Sequence, residues 1–163
     1  MPDFIAKYQD DRFVVYKGDS NEVFGSIVFD EGRRESAYLQ AENVLYRAEP
    51  ESGTDTDIVV RRDGVVLFKF KFDYVWGGAE LYMNGEDTGY DVTGKFFMPG
   101  TRFTDKEHRD LIVAVSDEQE PPETVIDIVG EEEVSPLMVM ATLYYHLYAS
   151  AGKRLVSSLT RII

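Results

Sequence analysis

Few side chains in this sequence could support acid–base or nucleophilic chemistry. The chain has two histidines, His108 and His146, and no cysteine. His108 lies in the polar stretch TDKEHRD and His146 in an apolar one, so we expect a solvated histidine and a buried, hydrogen-bonded one. Without cysteine there is no disulfide, zinc–thiolate site or thiol nucleophile. Because no nucleophile is paired with a base, we predict no catalytic residue, no cofactor and no enzymatic activity.

Acidic side chains occur in three groups that could offer oxygen ligands to Ca²⁺. These groups are Asp55 with Asp57, Asp87 with Asp91, and the run Glu131 to Glu133. None has the ligand spacing of an EF-hand loop. We therefore interpret them as solvated loops and predict no metal site, with a Ca²⁺-responsive binding module as an alternative.

Basic side chains gather in one predicted hairpin, whose turn is at residues 62–64. Arg61, Lys69 and Lys71 could meet on its outer face and bind a ligand. Strand alternation, however, places Arg61 and Arg62 on opposite faces. Three acids could neutralise the basic groups: Asp57, Asp63 and Asp73. We favour a surface of cross-strand salt bridges and retain Arg61, Lys69 and Lys71 as ligand-binding candidates.

The most unusual stretch is DYVWGGAELYMNGEDTGYDVTGK, which contains the single tryptophan, Trp76. Glycine pairs beside an aromatic residue favour a tight turn, although they also let a ligand approach the backbone. If the protein binds a small molecule or another protein, aromatic side chains would supply much of the contact energy. Trp76, Tyr82 and Tyr90 are therefore further ligand-binding candidates.

Charge and length limit the class of protein. The 163 residues carry 30 acids against 17 bases, a net charge of −13, and all the acids precede residue 134. Such a surface is unsuited to nucleic acid or anionic membranes, whose binding needs an excess of Lys and Arg. The length suits one domain. The start of the sequence does not have the pattern of a secretory signal, so we expect a cytoplasmic protein.

The elements that must position these residues are mainly strands. Between residues 4 and 129 we count about twelve short stretches rich in β-branched and aromatic residues and separated by turn residues, a pattern typical of an all-β barrel or sandwich. DEGRRES is predicted to be a loop, and the stretch from Lys95 to Phe103 to contain a strand. In the basic hairpin, alternation predicts an inward face that consists of Val66, Phe68, Phe70 and Phe72.

One helix is predicted at about residues 135–152, with Ser135 as its N-cap and Pro136 in its first turn. It is apolar on every face, and such a helix is enclosed by protein or lipid. Its uncharged run is shorter than the roughly 20 residues that span a membrane, so we do not expect stable membrane insertion. A short tail, 153–163, could be a continued helix or a strand.

Twelve strands in a barrel enclose more space than their own side chains fill, and this helix could fill it. We predict a single domain, residues 1–163, that is mainly β: an antiparallel barrel of about twelve strands enclosing a hydrophobic C-terminal α-helix. In an alternative fold, the helix covers one side of a sandwich. Five residues at near-helical spacing would form the polar stripe that this requires: Ser135, Thr142, His146, Ser150 and Lys153.

This organisation resembles the tubby C-terminal-domain superfamily, which includes the LURP-one-related proteins and the phospholipid scramblases. The matching features are the strand-rich span 4–129, the section DYVWGGAELYMNGEDTGYDVTGKFF and the helix SPLMVMATLYYHLYASAGKRL. The resemblance implies a β-barrel around a central helix and a non-catalytic binding or scaffold module of unknown ligand. Membrane-associated lipid handling, as in scramblases, is an alternative that it also implies.

Overall fold

The computed structural model of the protein describes residues 1–18, 20–52, 57–73, 77–94 and 99–162; for residue 34 and residues 150–162 it describes the backbone alone. Twelve strands precede one helix. The strands are β1 (Phe4–Gln9), β2 (Arg12–Lys17), β3 (Val23–Asp30), β4 (Arg33–Ala41), β5 (Val44–Pro50), β6 (Ile58–Arg62), β7 (Val65–Phe72), β8 (Ala79–Met83), β9 (Glu86–Thr93), β10 (Thr101–Thr104), β11 (Asp110–Ser116) and β12 (Thr124–Ile128). The helix, α1, is Pro136–Ile162.

The strands form a closed antiparallel barrel in which each strand pairs with its neighbours in the sequence. The barrel closes where β12 pairs with β1, with Phe4 opposite Ile126. Closure leaves no sheet edge unpaired, which removes the main site of unwanted strand addition. The predicted twelve-stranded barrel is confirmed, and the alternative of a helix covering a sandwich is wrong.

The helix packs inside the barrel. Met140, Leu143 and Tyr144 on α1 are completely buried among inward-facing wall residues. Several wall positions are small, which lets the helix approach the strands closely. At Gly25 a Cβ atom would collide with the carbonyl oxygen of Gln40 and approach the sulfur of Met140 at 3.1 Å, so only glycine fits. The hydrophobic core is therefore the interface between helix and wall.

The antiparallel order determines which loops share an end of the barrel. The β3–β4 turn, the β5–β6 loop and the β11–β12 loop lie together at one end, which we call the rim. α1 begins at the opposite end, after β12, and runs toward the rim. Ser135 caps it as predicted, because its hydroxyl accepts a hydrogen bond from the amide of Met138 at 3.2 Å. The helix continues to Ile162, through the residues predicted as a tail.

The structure corrects two further details. The strand β4 begins at Arg33, inside the predicted loop DEGRRES, because Gly32 at φ 75° makes a tight turn that lets Arg33 pair with Asp30. Val66 is 48% exposed, whereas Phe68 and Phe70 are buried as predicted. Val66 lies opposite Arg61, next to a register shift in the β6–β7 ladder that interrupts the alternation.

Phe72 packs against the core, as predicted. Of the predicted strand between Lys95 and Phe103, residues 95–98 lie outside the described residues, and β10 occupies the end of that stretch. In the described part of the chain, no helix combines the length and the apolar character needed to cross a membrane.

Replacing a lumenal leucine should destabilise the protein far more than replacing a leucine on the outer wall. Leu143→Ala leaves a cavity between helix and wall and should lower the free energy of unfolding by about 2–5 kcal/mol. Leu45→Ala, the same change at an exposed position, should alter it by less than about 0.5 kcal/mol. Urea denaturation measures both. Equal losses would contradict a core centred on the helix.

Candidate functional site

The candidate site is a cavity of about 1160 Å³ at the rim, which we call the rim groove. It lies where β3 ends, β4 begins, β5 ends and β6 begins, and Tyr148 of α1 contributes to its lining. Its lining residues are Asp30, Gly32, Arg33, Glu35, Ser36, Arg47, Glu49, Pro50, Glu51, Ser52, Ile58, Arg61 and Tyr148. Most of these are charged or polar, so the groove suits a polar ligand.

Strand alternation places the charged residues of the groove. On β5, Ala48 is buried in the lumen, so Arg47 and Glu49 on either side of it point outward. Arg61 on β6 lies directly opposite Arg47 in the register. The tight β3–β4 turn brings Asp30 within reach of the same guanidinium group. Asp30, Arg47, Glu49 and Arg61 thus form one charged cluster, although Asp30 and Arg61 are 31 positions apart in the chain.

Arg47 is the centre of this cluster. Its Nη1 and Nη2 atoms donate hydrogen bonds to the two carboxylate oxygens of Asp30 at 2.7 and 2.5 Å, and its Nε donates to Glu49 at 3.2 Å. The guanidinium group also lies 4.4 Å from the centre of the Tyr38 ring. Arg61 Nη1 donates to the other oxygen of Glu49 at 2.5 Å. Such two-pronged pairing holds the arginine side chains in one orientation.

The hydrogen bonds from Arg47 hold the pKa of Asp30 below its usual value of 3.8, despite an opposing effect of partial burial. The same hydrogen bond raises the pKa of Arg47. Both groups are therefore charged at neutral pH, and the pair is a fixed part of the groove wall.

Three other lining side chains have unused polar capacity. In the described part of the chain, the side chains of Arg33 and Glu35 make no ion pair within 4.0 Å and no hydrogen bond. The Ser36 residue is 5% exposed, and no described group is hydrogen-bonded to its hydroxyl. Ser36 lines the cavity, so its hydroxyl can serve as a contact point for a ligand.

The helix is tied to the groove through Tyr144. Its hydroxyl donates a hydrogen bond to the backbone carbonyl of Glu35 at 2.6 Å, and burial raises the pKa of its phenol. This bond satisfies the buried phenol and links the groove strand β4 to the lumenal helix.

Two of the predicted basic candidates, Arg61 and Lys69, lie on the outer wall in salt bridges. Arg61 lines the groove and pairs with Glu49. Lys69 lies beside the groove, 3.2 Å from Glu51 and 4.0 Å from Asp57. The predicted surface of salt bridges is confirmed. Its main acidic partners lie on or just after β5, however, and not in the hairpin itself.

Lys71 and Tyr82 lie further along the same wall. The ammonium group of Lys71 is 5.2 Å from the centre of the Tyr82 ring, and Tyr82 is directly opposite Lys69 in the β7–β8 register. Tyr82 donates a hydrogen bond to Glu80 at 3.2 Å. These residues do not line the groove.

The aromatic candidates are not brought together. Tyr90 is two residues before the buried Val92 on the same strand, so both side chains face the lumen. There the Tyr90 ring stacks on that of Phe103, with 5.7 Å between the ring centres. Its hydroxyl donates to Glu132 at 2.5 Å, near the start of α1. Tyr82 and Tyr90 therefore lie on opposite faces of the wall, and Trp76 lies outside the described residues.

The two histidines have the surroundings predicted for them. His146 is 5% exposed, and its Nδ1 and Nε2 atoms lie 2.8 Å from Thr101 Oγ1 and 2.7 Å from Ser116 Oγ. His108 is in an exposed loop, 4.0 Å from Asp91. His146 is thus a hydrogen-bonded core residue, and His108 is solvated.

The acidic groups considered for Ca²⁺ are spread over different partners. Asp87 accepts a hydrogen bond from the amide of Gly89 at 2.8 Å, and Glu132 is bonded to Tyr90. Partial burial, together with the charges of Glu80 and Asp87, raises the pKa of Asp91. Asp55 lies outside the described residues. In the described ranges, no three acidic or histidine side chains are grouped so as to hold a metal ion.

We found no match to this chain among protein-family models, curated proteins or solved structures. The site therefore rests on geometry. Of the sequence candidates, Arg61 alone is among the described lining residues of the groove. Asp30, Arg47 and Glu49 were missed, although the alternation of charged and apolar residues on β5 is a signal that could have indicated an outward charged row.

The Asp30–Arg47 pair should contribute pH-dependent stability. Because the pKa of Asp30 is lowered by folding, its contribution is complete above pH 3.8 and is lost as the pH falls through the folded value. At pH 7, Asp30→Asn should lower the free energy of unfolding by about 1–2 kcal/mol, since the pair is only partly buried. This difference should shrink in strongly acidic solution.

The matched control is Asp63→Asn, which removes an exposed carboxylate near the β6–β7 turn and should change stability by less than about 0.5 kcal/mol. Denaturant titrations at several pH values measure both variants. A loss for Asp30→Asn that stays constant down to acidic pH would contradict the ion-pair explanation.

Proposed function

We propose that this protein is a non-catalytic binding module whose ligand site is the rim groove. The observation that carries the proposal is the groove itself, a polar cavity of about 1160 Å³ built on four adjacent strands and the lumenal helix. Pockets that hold ligands generally combine concave shape with a few well-placed polar groups. Here the Glu35 carboxylate and the Ser36 hydroxyl are such groups.

In the part of the lumen that the described residues form, there is no comparable site. α1 fills it with tightly packed side chains, including the completely buried Met140, Leu143 and Tyr144. Ligands that other barrels hold inside would have to displace this helix. Binding is therefore expected at the surface of the barrel, where the groove is a large polar concavity.

The non-catalytic part of the proposal rests on the surroundings of His146. The contact between Ser116 and His146 has a length suited to nucleophile and base, 2.7 Å. However, His146 is 5% exposed and its other ring nitrogen contacts a hydroxyl group, Thr101, where such sites usually have a carboxylate. Ser116 Oγ is also hydrogen-bonded to Thr124 in the wall, at 2.8 Å, so we assign the pair a structural role.

The resemblance to tubby-like and LURP-one-related proteins forms part of the same proposal. A closed barrel around a hydrophobic helix supports it, because this is the architecture that the resemblance implies. Fold alone does not determine function, so the ligand has to be inferred from the groove. The cysteine-free composition is compatible with the reducing cytoplasm, where we propose that the module acts.

Filling the groove should abolish ligand binding. Arg33→Trp places a bulky ring in the groove, because Arg33 is a lining residue at the first position of β4. Arg12→Trp makes the same change at the first position of β2, outside the groove, and is the matched control. Amide chemical shifts would be followed during titration with defined lysine-rich, acidic and neutral peptides and with linear oligosaccharides.

We expect at least one probe to shift the amides of Gly32 and Ser36 saturably in the wild type and in Arg12→Trp, but not in Arg33→Trp. Saturable shifts that lie elsewhere, or that Arg33→Trp leaves intact, would refute the groove as the site.

A further inference from the structure

We infer that the rim groove recognises a cationic peptide segment, an extended stretch of a partner protein that carries lysine or arginine side chains. This inference rests on the proposed function and specifies its ligand. Three features of the groove support it: its size, the charges left after internal pairing, and the hydroxyl of Ser36.

The size favours a chain segment over a small molecule. Typical ligand pockets have volumes of roughly 300–1000 Å³. The groove, at about 1160 Å³, exceeds that range and lies on the outside of the rim, where a longer ligand can enter and leave. Its polar lining also suits a peptide, whose backbone brings both donors and acceptors along its whole length.

Internal pairing decides which charges can act on a ligand. Arg47 is held by Asp30 and Glu49, and Arg61 is held by Glu49, so neither guanidinium group can turn freely toward an anion. The Glu35 carboxylate has no such partner among the described residues. An anionic ligand would have to displace an existing carboxylate from Arg47 or Arg61, whereas a cationic side chain can approach Glu35 directly.

The field of the whole molecule acts in the same direction. The net charge is −13, so the potential around the protein attracts cations and repels anions. Among the described lining residues, Arg33 is the positive charge without an ion pair, and it would oppose a cationic ligand unless its exposed side chain turned toward solvent. Electrostatic complementarity of this kind mainly increases the association rate and selects the sign of the partner.

The hydroxyl of Ser36 supplies a contact that charge alone does not. Ser36 is a residue with little overall exposure that lines the groove, and its hydroxyl has no hydrogen-bond partner among the described residues. A hydroxyl group can both donate and accept, so it can pair with a backbone amide or carbonyl of an extended segment. The groove therefore offers a carboxylate for the side chain and a hydroxyl for the backbone of the same ligand.

The test uses a fluorescein-labelled dodecapeptide of alternating lysine and serine, with fluorescence anisotropy as the readout. Glu35→Gln removes the groove's unpaired carboxylate without changing its shape. Glu86→Gln is the matched control, since it removes one exposed negative charge at the β8–β9 turn, at the opposite end of the barrel. The two variants have the same net charge.

We expect Glu35→Gln to weaken binding about threefold to tenfold, as is typical of losing one partly buried charged contact, and Glu86→Gln to leave affinity unchanged. Ser36→Ala should also weaken binding, while circular dichroism should show that all three variants are folded. Equal weakening by the two glutamine variants would overturn the inference, because it would show attraction to the general negative field.

The remaining outcomes separate this inference from the proposed function. If maltohexaose or the corresponding glutamate–serine peptide shifts the groove amides and the lysine–serine peptide does not, the groove binds a ligand but the inferred class is wrong. If no probe binds there and Arg33→Trp has no effect on any interaction, both the inference and the proposed function fail.

Discussion

The need to fill the barrel lumen is the constraint on which the rest of this structure depends. A closed sheet of twelve strands encloses more volume than its inward side chains occupy, and protein interiors do not tolerate large voids. The helix α1 meets this need with large side chains where the wall is small. Gly25 shows how close the fit is, because a Cβ atom there would lie only 3.1 Å from the sulfur of Met140 on the helix.

The polar side chains of the enclosed helix also need hydrogen-bond partners. Thr142 donates a hydrogen bond to the carbonyl of Met138 within the helix, at 2.8 Å. His146 and Tyr144 instead bond to groups of the wall, on β10, β11 and β4. Since unpaired buried polar groups are costly, these contacts help to specify one depth and rotation of the helix. The rim groove, which Tyr148 helps to line, is positioned by the same packing.

Much of the fold could be predicted because its signals are local. Alternation and turn residues indicate the strands, and a run without charge that follows a serine cap indicates the enclosed helix. Where prediction was wrong, long-range pairing was the reason. Arg33 lies in a strand because it pairs across a tight turn, and Val66 is exposed beside a register shift.

The groove could not be predicted in the same way. Asp30, Arg47 and Arg61 each look like ordinary surface charges, and only the registers of β3 to β6 bring them together. Conversely, Tyr82 and Tyr90 are close in the sequence but lie on opposite faces of the wall. The pairing of β8 with β9 makes their side chains point to opposite sides of the sheet. Sequence indicates which residues are polar or aromatic, whereas the pairing of strands decides which of them share a site.

Native-state hydrogen exchange tests the central claim, that the helix is the enclosed core of the barrel, most directly. The amides from Val139 to Leu147 should exchange only through global unfolding, with the same opening free energy as those of Leu39 and Ile112 in the wall. Exchange of the helix amides at a markedly lower opening free energy than the wall would contradict the account, because it would show that the barrel persists without its helix.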